Sequence, residues 1–510
     1  MLMQMGTSTR LYLSQPLAAG LSGAETGAAR ILTDGEDSRA TLTIYDTFDT
    51  QIMGSGQLLA AIGAELVLIP AEGAPLVQPG AAPGFVQDMQ DGEVTARLGA
   101  IVDPLRRLLP LARGELVRAR LKMVDDLEKT VARAREWRFE TEDGRRAAMI
   151  ECLPVRGYDD ELAQLQALVA ARGTTMADSG ALGHALIGPE ALYTSKPLIP
   201  MTPSDSAFSV ANAFLATNLD VARRNEPGVI EDLDTEFLHD YRVALRRIRS
   251  VLSLFKGVYS PEQTDRLKAR FSALMAETGR LRDLDVYMLE RDAYADLVPE
   301  PFRPGIARLF AGLASDREAV QKSLAALFES EAYLKEVRSL QKLLANPKRL
   351  KPGPAAEAEA FGFAQKLIWK RYRKVCGIAA EIDDDTPDEQ VHELRIQCKK
   401  LRYLIEFFTP LFDDDGAKKV LKSLKKLQNT LGDFNDYSVQ QAELGNILDQ
   451  LDPRSPDAIE SAAGIGALVM ALNRKQLEVR GKVVASFEAF DAPETRDLAR
   501  ALFKPRKSAT

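Results

Sequence analysis

Two stretches of the chain concentrate side chains able to hold an anion. They are His239-Asp-Tyr-Arg242-Val-Ala-Leu-Arg246-Arg247-Ile-Arg249 and, 153 residues later, His392-Glu-Leu-Arg395-Ile-Gln-Cys-Lys399-Lys400-Leu-Arg402. Polar positions recur at the same spacing, as a duplication leaves them. A helix turns by about 100° per residue, which gathers Arg242, Arg246 and Arg249 within about 60° of arc beside His239. Leu238, Leu245, Ile248, Leu252 and Phe255 occupy the adjoining arc, Arg247 stands apart, and Lys256 joins the border. The second copy sets Arg395, Lys399 and Arg402 beside Leu394, Leu401, Ile405 and Phe408. Like charges on one arc repel by about 0.2–0.5 kcal/mol per close pair, and the motifs hold few carboxylates four residues on. A facing anion relieves that repulsion. Guanidinium forks match phosphate oxygens and ammonium groups follow a flexible anion, so the pattern suits several phosphates in a row.

A second repeated motif follows each stripe. Leu281-Arg282-Asp283-Leu-Asp285-Val-Tyr287 pairs with Leu431-Gly-Asp433-Phe-Asn435-Asp-Tyr437 at an offset of 150, so the halves differ by a three-residue indel. Asp283, Asp285 and Asp433 read as helix caps or as carboxylates that orient neighbouring arginines. Lys418, Lys419, Lys422, Lys425 and Lys426 lie opposite Val420, Leu421, Leu424 and Leu427, the pattern of a solvated helix face. Arg247, Lys256, Arg282, Lys400, Lys422 and Lys425 are placed at the margins of the anion path.

His239 and His392 admit three readings. As phosphate donors they contribute more as pH falls through about 6.5; as plain helix-packing side chains they contribute nothing to binding. As metal ligands they would need Asp240, Asp283, Asp285 or Glu393 to complete a site, and no H-x-x-x-H or cysteine pair accompanies them. Nucleic acid is the competing polyanion, but single-strand binders bring aromatic platforms and only Tyr241 and Tyr403 lie near the stripes, Tyr241 on the buried arc.

The elements that must carry these motifs fall into two regions. The 510 residues are 45% apolar and 27% charged, which excludes a disordered or collagenous chain, and the net charge of −7 excludes a general polyanion binder. Any basic surface must be local. Before residue 200 there are 19 basic and 26 acidic residues, and afterwards 47 of each. Alternating runs at 40–45 and 147–153 predict strands around the Gly/Pro-rich stretch 71–84, and helical periodicity enters at 104–113 and 161–172. The first region is therefore α+β. Amphipathic helices dominate after Pro200, and the three prolines of 346–354 divide them into halves. Cys152, Cys376 and Cys398 have no CxxC spacing, and no leader peptide or membrane span is read, so a cytoplasmic protein is expected.

At the two histidine-led motifs the chain resembles the CHAD domain, the conserved-histidine α-helical domain, whose halves each carry H-x-x-R-x-x-x-[RK]-[RK]-x-R. The resemblance spans about 207–490. It implies two pseudo-symmetric four-helix bundles with a basic channel or surface that binds inorganic polyphosphate, on polyphosphate granules where cells make them. Residues 1–196 resemble a degenerate CYTH domain, the antiparallel triphosphate-tunnel fold, through Tyr45-Asp-Thr-Phe-Asp49, Val117-Arg118-Ala-Arg120-Leu-Lys122, Arg156-Gly-Tyr158 and Ser195-Lys196-Pro197. The E-x-E-x-K signature of that family is absent: Glu140/Glu142, Glu329/Glu331 and Glu357/Glu359 lack the following Lys. The expected organisation is a CYTH-like α+β domain at 1–196, a linker at 197–206, and an all-α CHAD domain at 207–505 with halves at 207–345 and 355–505. A binding protein without cofactor is the expected function. The alternative is a Mg- or Mn-dependent triphosphatase or polyphosphate hydrolase in which Arg118, Arg120 and Lys122 supply the basic half of the first domain's site. No protein partner is assigned.

Overall fold

In the computed structural model, the described residues are 9–15, 21–26, 29–80, 84–383, 386–412 and 414–505. The chain divides into two units, Met1–Thr194 and Ser195–Thr510.

Among the described residues the first unit has eleven strands: β1 (Thr9–Leu13), β2 (Glu25–Thr26), β3 (Ala29–Thr33), β4 (Ser38–Asp46), β5 (Leu58–Ile62), β6 (Glu65–Ile69), β7 (Leu76–Pro79), β8 (Leu109–Val124), β9 (Thr130–Thr141), β10 (Arg146–Pro154) and β11 (Thr175–Met176). They form one antiparallel sheet in the order β11-β1-β10-β9-β8-β4-β5-β6-β7, with the β2–β3 hairpin added along β8. Helices α1 (Gln51–Gly54), α2 (Glu93–Gly99), α3 (Asp159–Arg172) and α4 (Ser179–Ile187) accompany it. Period-two alternation gives the sheet two distinct faces. On one, Leu162, Leu165 and Val169 of α3 pack on Leu13, Ile31, Leu121, Met123 and Ile150. On the other, Leu182 and Leu186 of α4 cover Tyr12, Leu116, Phe139 and Met149.

The expected strands at 40–45 and 147–153 lie in β4 and β10, and the helix at 161–172 lies in α3. The periodicity at 104–113 misleads. That segment leaves a turn and enters β8 at Leu109, where Asp46 pairs with Leu109 and Tyr45 with Pro110. Pro110 has no amide hydrogen to give a helix, and sheet pairing takes the segment instead.

The second unit is all-α. Its first half comprises α5 (Ala207–Ile230), α6 (Thr235–Leu254), α7 (Pro261–Ala276), α8 (Gly279–Leu289), α9 (Arg291–Leu297), α10 (Arg303–Glu329) and α11 (Glu331–Leu344). After the proline-rich interruption come α12 (Ala360–Ala379), α13 (Asp388–Phe408), α14 (Asp414–Asp449), α15 (Ala458–Arg480), α16 (Val483–Phe490) and α17 (Pro493–Phe503). Helix pairs α5/α12 and α6/α13 start 153 residues apart, the repeat distance of the motifs. The indel falls where α7 and α8 are separate helices but α14 runs unbroken. Asp234 starts α6 by accepting hydrogen bonds from the Glu236 and Phe237 amides. Gly257, at φ 81°, turns the chain just after it.

Candidate functional site

The apolar arcs are buried as their spacing predicts: Leu238, Leu245, Ile248, Leu252 and Phe255 on the first copy, Leu394, Leu401, Ile405 and Phe408 on the second. This fixes the rotation of α6 and α13. Each basic stripe consequently emerges beside the helix's packing face, with Arg242, Arg246, Arg395 and Lys399 half-buried and Arg249 exposed.

The two stripes converge. Burial lowers the pKa of Arg242; Asp283 opposes this, while Arg246, Arg282 and Arg249 add to it. Burial also lowers the pKa of Arg395; Asp436 opposes, and Arg246 from the first half adds to the shift. Lys399 is pushed down to about 8, first by burial and then by Arg395 and Arg246. A guanidinium from α6 thus acts on two cations of α13, placing both halves around one cationic centre. Burial and like charge both disfavour the charged forms, and an anion there reverses the second effect.

The polar partners are unequal between the halves. Arg242 donates to Thr278 Oγ1 at 2.8 Å and to the Met275 carbonyl at 3.3 Å, satisfying the end of α7 at the α7–α8 break. Arg395 instead meets Asp436 at 3.2 Å. Arg402 pairs with Glu406 at 2.8 Å and donates to Gln428 at 3.1 Å, while Arg282 lies 3.9 Å from Glu236. The buried Nε atoms of Arg246 and Arg395 have no hydrogen-bond partner among the described residues. Such atoms cost free energy unless a ligand or water meets them. Nδ1 of His392 donates to Asn435 Oδ1 at 2.6 Å, which leaves Nε2 as the nitrogen able to face a ligand. His239 is half-buried at the equivalent position of α6.

Several expected margin residues sit elsewhere. Arg247 is buried, its guanidinium 5.6 Å from the Phe407 ring and opposed in charge by Glu406, so it packs α6 against α13. Lys400 is lowered by burial and by Arg371, Lys374 and Lys256, with Glu393 opposing. Lys400 thus shares a cationic environment with Lys256 and with Arg371 and Lys374 of α12. Lys422 lines a different groove with Lys419, Lys426, Ser486 and Glu494, and Lys425 is exposed on α14. Asp285 holds Arg317 at 2.8 Å, and Arg317 also clasps Asp232, so this carboxylate orients an arginine outside the stripe.

The first unit holds a cavity of about 1100 Å³ lined in part by Asp37, Arg39, Glu115, Glu136, Arg138 and Glu140. Three of its carboxylates are paired, Glu115 with Arg39 at 2.9 Å, Asp37 with Arg138, and Glu140 with Arg146 at 2.6 Å, while Glu136 lies 3.6 Å from Arg138 and keeps a buried Oε1 with no hydrogen-bond partner among the described residues. Arg118, Arg120 and Lys122 are not among its lining. Alternation along β8 sends Val117, Ala119 and Leu121 toward the cavity and those three to the other face, where Arg118 stacks on Trp137 and Lys122 lies 3.9 Å from Asp34. No three His, Cys, Asp or Glu side chains are grouped to hold a metal ion among the described residues. With three of its carboxylates engaged by arginines and no such group present among the described residues, the cavity's lining does not fit the divalent cation of a triphosphate tunnel.

Residues 213–445, spanning both stripes and the convergence of Arg246 with Arg395 and Lys399, match the family profile of the CHAD domain. The second unit contains a CHAD domain. Two uncharacterized proteins from two strains of Mycobacterium tuberculosis are each 25% identical over 213 residues, 41% of this chain and 39% of the relative. The chain thus matches about two fifths of those relatives' length. Among solved structures, the CHAD domain from the plant Ricinus communis is 25% identical with a TM-score of 0.48, covering 58% of this chain and 96% of that one. PptA from Streptomyces chartreusis is 16% identical with a TM-score of 0.40, covering 56% and 98%. Asp436 and the α12 cations beside the CHAD stripes escaped the sequence reading. Asp436 had a signal: it stands where the first copy has Val286.

Proposed function

We propose that this protein binds inorganic polyphosphate through the cationic centre shared by α6 and α13. The observation that carries the reading is the packing of α6 on α13, where the Arg247 guanidinium lies 5.6 Å from the Phe407 ring and the charge of Arg246 reaches Arg395 and Lys399, which supports one anion path for two sequence-distant stripes. Successive phosphates lie along Arg242, Arg246 and Arg249 and along Arg395, Lys399 and Arg402, with His239, His392 and Arg282 at the edge. The half-buried guanidinium groups of Arg246 and Arg395 donate to phosphate oxygens from their accessible nitrogens. The family's link to polyphosphate binding or metabolism supports the choice of ligand. A chain engaging both stripes gains from effective concentration, so long polyphosphate binds more tightly than triphosphate. The first unit is read as a degenerate CYTH-like accessory, and the setting as the cytoplasm, at polyphosphate granules. Among the described residues, no helix is long and apolar enough to cross a membrane.

The competing reading, a metal-dependent triphosphatase in the first unit, needs several carboxylates free to hold a cation together, and three of those lining its cavity are paired with arginines. The test is binding of labelled long-chain polyphosphate to the full chain at two salt concentrations, with phosphate release assayed in Mg or Mn. Tight, salt-sensitive binding without release is expected. Equal affinity for triphosphate and long chains, or turnover, overturns the proposal.

A further inference from the structure

The first helical half carries a second cationic groove. It has a volume of about 510 Å³ and is lined by Arg266 and Arg270 of α7, by Lys335, Arg338 and Lys342 of α11, and by Arg349. Glu331 is the one acidic side chain in its lining. Arg270 is held by Glu336 at 2.5 Å and by Ser339 at 3.0 Å. The other five cations are exposed and form no ion pair among the described residues. Lys335, Arg338 and Lys342 share one face of α11 at spacings of three and four, where like charges oppose helix formation. The groove's residues are distinct from those of the α6–α13 centre.

Duplication supplies an independent observation. Arg266 and Arg270 correspond, at the 153-residue offset, to Lys419 and Ser423, and both of these line the groove of about 300 Å³ between α14 and α16–α17. Lys422 and Lys426 join it there. Three lysines of the run that reads as a solvated face therefore border a concave site, and both halves place a cationic groove at the same position. Packing alone does not call for exposed, unpaired cations in two equivalent grooves.

We infer that the α7–α11 groove is a second binding site for a chain of phosphates. Converging guanidinium and ammonium groups from three segments suit successive phosphate oxygens. No aromatic side chain lines it, which removes the stacking platform on which a single-stranded nucleic acid depends. The inference rests on the proposed function only for the ligand's identity as inorganic polyphosphate.

The test is calorimetric titration of the full chain with short inorganic polyphosphate, comparing a groove variant (Lys335→Gln, Arg338→Gln, Lys342→Gln) with a centre variant (Arg246→Gln, Arg395→Gln). All three groove side chains are exposed, and unchanged circular dichroism verifies folding. The groove variant is expected to keep the tighter site with its salt slope unchanged and to lose one equivalent of ligand. The centre variant is expected to retain a weaker site that disappears when both sets are combined. Wild-type stoichiometry in the groove variant, with no residual site in the centre variant, overturns the inference and leaves the α6–α13 reading intact. Full binding by the centre variant and none by the groove variant overturns that reading and keeps the groove. Preferential displacement from the groove by a single-stranded oligonucleotide at equal phosphate concentration overturns the assignment to polyphosphate.

Discussion

Arg246 of α6 and Lys399 of α13 share one cationic centre, and the arginine's charge helps drive the lysine's pKa down to about 8 from 10.5. The folded state thus releases this proton more readily than the unfolded chain. Between about pH 8 and 10.5 the unfolded chain holds the extra proton, so this group's contribution to stability rises with pH across that window. A phosphate beside Lys399 favours the charged form and reverses the shift. Polyphosphate binding at about pH 8.5 should therefore take up a proton, visible as a buffer-dependent enthalpy in calorimetry. Affinity should decline as pH rises above 8. Lys399→Arg should bind without that uptake; an identical enthalpy for wild type in every buffer would contradict the coupling.

Replacing Arg246 separates binding from folding. Arg246→Gln removes a donor at the centre and also a source of repulsion on Arg395 and Lys399. Polyphosphate affinity should fall about tenfold to a hundredfold, the effect of a charge-assisted hydrogen bond worth about 1.5–3 kcal/mol. The thermal midpoint should hold or rise slightly. A marked loss of stability with unchanged affinity would assign Arg246 to packing.

Asp436 competes with the ligand for Arg395. The pair is 3.2 Å apart and the carboxylate is 62% exposed, so the contact adds little to stability, about 0–1 kcal/mol. Asp436→Asn should raise polyphosphate affinity several-fold while leaving unfolding nearly unchanged. Weaker binding in this variant would show that the carboxylate positions the arginine.

Arg247 should behave oppositely to its neighbour Arg246. It is 8% exposed and covers Phe407, so Arg247→Ala should cost about 1–3 kcal/mol of stability through lost packing. Arg247→Met, which restores most of the volume, should recover much of this loss. Polyphosphate affinity should stay within about twofold in both, on the general expectation that residues outside the contact are energetically silent. A large affinity loss in the methionine variant would return Arg247 to the phosphate path.

Helical periodicity is local, and what depends on it was legible. The arcs of α6 and α13, the buried leucines beside them, and the proline-rich division of the helices all follow from spacing within about twenty residues, the span over which such patterns speak. The convergence of the stripes depends on how α6 meets α13, a contact between residues some 150 apart that no local pattern encodes. Arg247 shows the boundary. Its angle set it apart from the stripe, but only the packing of Phe407 explains where it goes. Likewise, alternation along β8 told that Arg118, Arg120 and Lys122 share a face, and the tertiary fold decided that the cavity lies on the other. At 104–113 a short apolar run mimicked a helix until β4 claimed it as a strand.

The bond from Arg242 to the Met275 carbonyl and Thr278 has an evolutionary reading. The first copy has committed this guanidinium to a seam in its own backbone, whereas the unbroken α14 leaves Arg395 with an exposed carboxylate partner. The duplicated halves are no longer interchangeable parts. Transplanting the second copy's continuous helix in place of α7–α8 would remove the acceptors that fasten Nη1 of Arg242 and free that nitrogen for the ligand as well; the reverse graft would strip Arg395 of its acidic rival. Divergence after duplication has thus given two arginines at one motif position different freedoms, one anchored and one available for exchange.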